Sequence, residues 1–150
     1  MSIDRRTLLH GAGAGLVLTL LPASALRAAD DNGWQALRDQ VLAGRTPLTE
    51  GITLDTPAMA DNGAQVPLTI RIDSPMSAED HITTITLIAP GNPTPQMGRF
   101  TLTPALSRAE LFTRIRLGEA QEILVLAETS DGRVLQQAAH IDVSAGACAT

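Results

Sequence analysis

Two hydrophobic periods divide the chain. Over residues 32–44, Trp34, Leu37, Val41 and Leu42 recur at helical spacing and Gly44 is placed to end the segment. This predicts one short helix with Trp34 as a packing anchor. Beyond Gly44 the period becomes two, with Thr-, Val- and Ile-rich runs separated by Pro, Gly and Asx clusters. The clearest run is 66–72: Val66, Leu68, Ile70 and Ile72 face one way, and Pro67, Thr69 and Arg71 the other. Pro67 has no N–H, so the strand should start there or lie at a sheet edge.

Further runs follow at 81–89, at 99–103 with Phe100 and Leu102 on one face, and at 111–117. In the last, Leu111, Ile115 and Leu117 face inward and Arg114 and Arg116 outward. Residues 121–128 are apolar on both faces in their middle, as a central strand covered on two sides would be. Asp131-Gly132 marks a hairpin turn into 133–143, where Leu135, Ala139, Ile141 and Val143 share a face. With a weaker run at 51–54 this makes seven short strands. An all-β, immunoglobulin-like β-sandwich with a short N-terminal helix is the expected fold. The Cys-Trp-Cys hallmark of antibody domains is absent, so the likeness is one of architecture. No repeat, heptad pattern or long linker splits the chain, and residues 29–143 read as one domain.

Residues 1–28 do not follow this pattern. Arg5 and Arg6 precede an apolar run from Gly11 to Leu21, then Pro22 and the small-residue stretch ending at Ala28. A charged start, an apolar middle and an A-x-A-type end read as a cleaved export signal. The paired arginines and the glycines at 11, 13 and 15 fit the twin-arginine route, and with it a periplasmic destination. The run falls short of the ~20 residues that cross a bilayer. Cleavage after Ala25 or after Ala28 fits equally.

The 150 residues carry 11 basic and 16 acidic side chains, for a net charge of −5, and only 2% are aromatic. All the basic residues are arginine. Loss of residues 1–28 removes three arginines against one aspartate and makes the domain more acidic still. Such a balance argues against nucleic-acid binding, which needs a basic stripe and stacking aromatics, and against a basic membrane-surface helix.

Chemistry-bearing residues are sparse. No H-x-x-x-H or C-x-x-C pairing offers a zinc site. Met76, His81 and Met97 could be drawn as a copper site, and Ser107, His140 and Asp142 as a triad. Core and edge packing accounts for the first set, and nothing around Ser107 resembles a strained nucleophile elbow. The exception is Cys148, the only cysteine, in Ser144-Ala145-Gly146-Ala147-Cys148-Ala149-Thr150. A single thiol in an exported protein is idle, intermolecular or reactive. Its neighbours Gly146, Ala147 and Ala149 are small, so residues 144–150 read as a slim, flexible arm beyond the last strand. A covalent carrier needs such a tether, a nucleophilic atom and a rigid body to be recognised. An exposed thiol that dimerises adventitiously has the same spacing. No Lys, Arg or His adjoins Cys148 to lower its pKa.

Several stretches resemble SoxY, the sulfur-carrier family of the bacterial thiosulfate-oxidising (Sox) system. The segment 66–76 matches that family's strand ending in D-S-P-M, and 92–96 its N-P-x-P-Q turn. Residues 113–117 match its T-R-I-R-L strand and 127–132 its A-E-x-S-D-G hairpin. The resemblance implies a non-enzymatic, cofactor-free immunoglobulin-like domain that pairs with a SoxZ-like subunit exported as its passenger. It further implies that Cys148 carries sulfur intermediates covalently. A Sox cytochrome would load thiosulfate, a hydrolase would release sulfate, and in some organisms a sulfane dehydrogenase would act between. The family tail reads G-G-C-G-G, whereas here Ala147 and Ala149 stand where it has glycine. The competing expectation is a non-catalytic interaction module of the periplasm, indifferent to Cys148.

Overall fold

A computed structural model of the chain describes residues 33–144. The segment expected to be an export signal, with Arg5 and Arg6, and the residues expected to form an arm, Gly146, Ala147, Cys148 and Ala149, lie outside the described residues. Helix α1 (Trp34–Leu42) is followed by β1 (Ile52–Asp55), β2 (Met59–Ala60), a 3₁₀ turn (Gly63–Gln65), β3 (Val66–Ile72) and β4 (Ile82–Ile88). Then come β5 (Gln96–Thr101), β6 (Ala109–Ile115), β7 (Gln121–Thr129) and β8 (Val134–Val143). One sheet has the order β1-β3-β6 and the other β2-β8-β7-β4-β5. The two pack face to face as an immunoglobulin-like sandwich.

The alternation seen in sequence decides which side chains meet. Val66, Leu68 and Ile70 of β3 are fully buried and point across to Ile85 and Leu87 of β4 and to Ile123, Val125 and Ala127 of β7. The other face of β7 presents Leu124 and Leu126, which with Ile88 and Val134 receive Val41 and Leu42 of α1. Trp34 and Leu37 pack at the margin of this second cluster. The helix therefore lies on the outer face of the five-stranded sheet, which is why β7 is apolar on both sides and Ile88 of β4 is buried there with it. A register shift between Ile82 and Thr84 in the β4–β7 pairing re-aims β4, so that even-numbered Ile82 joins the same core as Ile85 and Leu87.

The end of α1 is tied to the sheet by Arg45. Its guanidinium donates to the carbonyls of Val41 (2.6 Å) and Leu42 (2.8 Å), to Gly132 (2.9 Å) and to the Glu128 carboxylate (3.1 Å). Two carbonyls that the helix leaves unpaired are thereby satisfied, and the helix is tied to the β7–β8 hairpin. That hairpin turns at Asp131-Gly132, as expected, with Gly132 at φ 89°. The Thr129 hydroxyl donates to the Asp131 carboxylate, and Arg133 Nε donates to it at 2.6 Å.

Three details differ from the sequence reading. Among the described residues there are eight strands, because the two-residue β2 pairs in parallel with the end of β8 and is too short to show a period. Strand β5 begins at Gln96, where Gly98 interrupts the alternation; the Phe100 ring lies over Gly98, 2.9 Å from where a Cβ would stand. Strand β3 is central in its sheet, so of the two alternatives raised by Pro67 the edge fails and the strand start holds, with β3 beginning at Val66, one residue before the proline. Pro67 is accommodated because β1 reaches only Thr69, leaving no strand beside it on that flank.

Truncating Leu126→Ala, at a fully buried position between α1 and the core, should destabilise the domain by about 3 kcal/mol. Trp34, the single tryptophan, reports this as a lower urea midpoint in fluorescence-detected unfolding. The bonds from Thr129 and then Arg133 hold the Asp131 pKa below its ordinary value. Its contribution is therefore present above the usual carboxylate pKa and is lost as pH falls through the depressed one. Asp131→Asn should flatten the acid limb of the stability-versus-pH curve, measured by denaturation at a series of pH values.

Candidate functional site

The end of β8 is where the domain hands over to the segment bearing Cys148. Its backbone is anchored up to the last described residue. Asp142 donates its N–H to the Ala58 carbonyl (2.9 Å), and Ser144 its N–H to Ala60 (3.1 Å). The Ser144 hydroxyl donates to the Asp61 carbonyl at 3.2 Å. The short parallel strand β2 thus holds the root of the arm.

Beneath the root, Gly63 forms a close three-way junction. A Cβ there would stand 2.4 Å from the Leu117 carbonyl oxygen and 2.9 Å from Val143 Cγ1. Leu117 donates its N–H to the Gly63 carbonyl at 2.7 Å. Asn62 shapes this turn by accepting the Ala64 N–H on its side chain at 2.9 Å. The 3₁₀ turn therefore joins the three-stranded sheet, through Leu117 just beyond β6, to the end of β8 in the other sheet. Only glycine fits a backbone approach this close.

Cys148 is four residues beyond Ser144. Covalent geometry limits the span between their Cα atoms to about 14 Å. With the further reach of its side chain, about 3 Å, the thiol lies within about 17 Å of the anchored root.

The residues singled out from sequence fall as follows. His140 and Asp142 share the exposed face of β8, with Nε2 and Oδ1 3.3 Å apart. Ser107 lies in the exposed connection before β6, and no hydrogen bond joins it to His140, so the triad is not assembled. Met76 is buried in the main core and Met97 packs against that core from β5. His81 is half-buried ahead of β4, with its Nδ1 buried and without a hydrogen-bond partner. Among the described residues no group of three or more His, Cys, Asp or Glu side chains is placed to hold a metal.

One feature had no signal in the sequence. A cleft of about 680 Å³ opens between the edge strands β5 and β6 of the two sheets. Leu87, Met97, Phe100, Ile115 and Leu117 make it apolar, and Arg114 and Arg116 line it as well. Its lining includes no carboxylate, histidine or thiol, so it offers space and positive charge but no acid, base or nucleophile. The contributing residues come from separate segments that only the closing of the sandwich brings together.

The description "Sulfur oxidation protein SoxY" belongs to the family that matches residues 38–148. That range takes in the sandwich, the anchored root and Cys148. The chain belongs to the SoxY family. Members of this family are carriers rather than enzymes. The solved sulfur carrier protein SoxY from Chlorobium limicola f thiosulfatophilum is similar at 24% identity and TM-score 0.57, over 74% of this chain and 98% of that one. A superoxide reductase (neelaredoxin) from Ignicoccus hospitalis is similar at 15% identity and TM-score 0.56, over 64% of this chain and 82% of its own. The superoxide reductase from Nanoarchaeum equitans follows at 11% identity and TM-score 0.53, over 63% and 99%. At such identities these structures share the fold. No curated protein matches significantly.

Gly63→Ala should lower thermal stability by about 1–3 kcal/mol, because the added methyl meets a backbone carbonyl that cannot move aside. Calorimetry measures the loss, and faster amide exchange at Leu117 and Ser144 locates it at the junction.

Proposed function

We propose that this SoxY-family chain is a periplasmic covalent sulfur carrier, with Cys148 as the attachment atom. The observation that carries the reading is that the family match runs through the sandwich and ends on Cys148 itself. A rigid body with an anchored root, followed by Gly146, Ala147, Cys148 and Ala149, has the parts a carrier needs. Steric bulk next to the sulfur is small, so the thiol can enter a narrow active site. Ala147 and Ala149 restrict the backbone more than glycine would and tune, without abolishing, the orientations the thiol reaches.

Loading joins the Cys148 thiolate to the outer sulfur of thiosulfate. A new S–S bond forms and two electrons leave to a cytochrome of the system, giving a cysteine S-thiosulfonate. Hydrolysis by a partner enzyme then breaks the sulfur–sulfonate bond, with water supplying the oxygen of the released sulfate and a persulfide left on Cys148. A sulfane dehydrogenase can oxidise that remaining sulfur to a sulfonate with oxygen from three waters, passing the six electrons to a cytochrome acceptor, before a second hydrolysis frees sulfate and the Cys148 thiol. In this scheme the carrier contributes the thiol and the tether, and its visitors contribute the catalysis. No resident cofactor takes part. A SoxZ-like subunit is the stable partner, and export behind Arg5-Arg6 by the twin-arginine route allows the pair to cross already folded.

The test is the intact mass of the protein isolated from cells given thiosulfate, before and after a thiol reductant. Reductant-labile sulfur additions on the Cys148 peptide are expected. Cys148→Ser should abolish them and reduce thiosulfate oxidation to background. A bare thiol throughout, with normal oxidation in the Cys148→Ser strain, would leave the sandwich as an interaction module.

A further inference from the structure

The cleft between β5 and β6 has no part in carrying sulfur on Cys148, and its walls are well defined. Leu87, Ile115 and Leu117 form a buried floor, and the half-buried Met97 and Phe100 a side wall. One end is closed by hydrogen bonds that cross between the sheets. Asn92, in the β4–β5 connection, donates from Nδ2 to the Arg116 carbonyl at 2.8 Å. Its Oδ1 accepts the Gly118 N–H at 3.2 Å and Gln121 Nε2 at 3.1 Å. Gln121 Oε1 in turn accepts the Gly91 N–H at 2.8 Å. The loop is thereby pinned to the chain beyond β6, and the cavity is formed before anything enters it. Its volume of about 680 Å³ falls within the range of small-molecule sites, roughly 300–1,000 Å³.

Charge sets this cavity apart from the rest of the surface. Of the described arginines, Arg38, Arg45, Arg71, Arg99 and Arg133 each pair with a carboxylate. Arg108, Arg114 and Arg116 have no carboxylate partner among the described residues, and Arg114 and Arg116 both border the cleft. Arg114 Nη1 donates instead to the neutral Gln65 Oε1 at 3.2 Å. Acid is not scarce, since the chain carries 16 acidic side chains against 11 basic. An apolar cavity bordered by two uncompensated guanidiniums, with no carboxylate in its lining, suits a molecule with an apolar body and one anionic head. A cation would meet no counter-charge there. A small inorganic anion would leave the apolar floor uncovered.

We propose that the cleft binds a medium-chain carboxylate, with its alkyl body over Leu87, Met97 and Leu117 and its head between Arg114 and Arg116. Both arginines are exposed, so their attraction for the head is screened and burial of the alkyl body supplies most of the affinity. The inference does not rest on the carrier reading and involves no sulfur chemistry.

The test titrates decanoate into the full chain, below the concentration at which decanoate forms micelles. The methyl resonances of Leu87, Met97 and Leu117 should shift saturably. Trp34 packs with the helix on the opposite side of the five-stranded sheet, and its fluorescence should not change. Octanoate and hexanoate should bind more weakly, by about fourfold per methylene removed. Decanol, with the same body and no charge, should lose about fivefold. Arg114→Gln and Arg116→Gln should each weaken decanoate by about threefold to fivefold, and neither should move the urea midpoint, because both side chains are exposed. The chain-length series needs no substitution, so a variant that folds poorly does not decide the outcome. Absence of saturable shifts overturns the proposal. So does an affinity indifferent to chain length, or one unchanged when both arginines are replaced. Decanoate that leaves these methyls unmoved, while an added SoxZ-like subunit shifts them, makes the cleft a protein interface and equally overturns it.

Discussion

Strand β7 is apolar on both faces, and most of the architecture depends on covering both. A β-strand can bury one face against a second sheet, but its other face then needs a separate cover. Ile123, Val125 and Ala127 meet the three-stranded sheet, while Leu124 and Leu126 meet α1. The helix is held there by burial of Val41 and Leu42 and by Arg45, which connects the helix end to the β7–β8 hairpin. The helix and the distinctive hairpin thus serve one requirement, that the central strand stay dry on both sides.

The end of β8 is held as firmly as the centre of the sandwich. Up to Ser144 the backbone is hydrogen-bonded and braced by the Gly63 junction. Four residues later stands the only thiol. The short parallel strand β2 is minor in area but sets where the reach of that thiol is centred.

Around β6 the sandwich has two different surroundings. Between β5 and β6 it opens into an apolar cleft bordered by arginines. Along β6 itself it presents three consecutive outward-facing backbone units with an exposed aromatic at their centre. Edges of this kind invite a further strand unless they are charged or covered.

The sequence by itself determined the helix, the inward faces of β3, β6 and β8, the Asp131-Gly132 turn and the double burial of β7. These depend on periodicity and turn chemistry, which are local. It also singled out Cys148, because a lone cysteine among small residues is visible without coordinates, and the four matched stretches indicated the family. Tertiary structure decided the rest. Strand β2 is too brief to carry a period and exists only because β8 offers it a partner. The central place of β3 depended on how far β1 extends beside Pro67. Neither the Gly63 junction nor the cleft could be read in advance, since each joins residues far apart in the chain. The outward direction of Glu110, Phe112 and Arg114 likewise required the register with β3, because alternation tells which face a side chain takes but not which neighbour its backbone addresses.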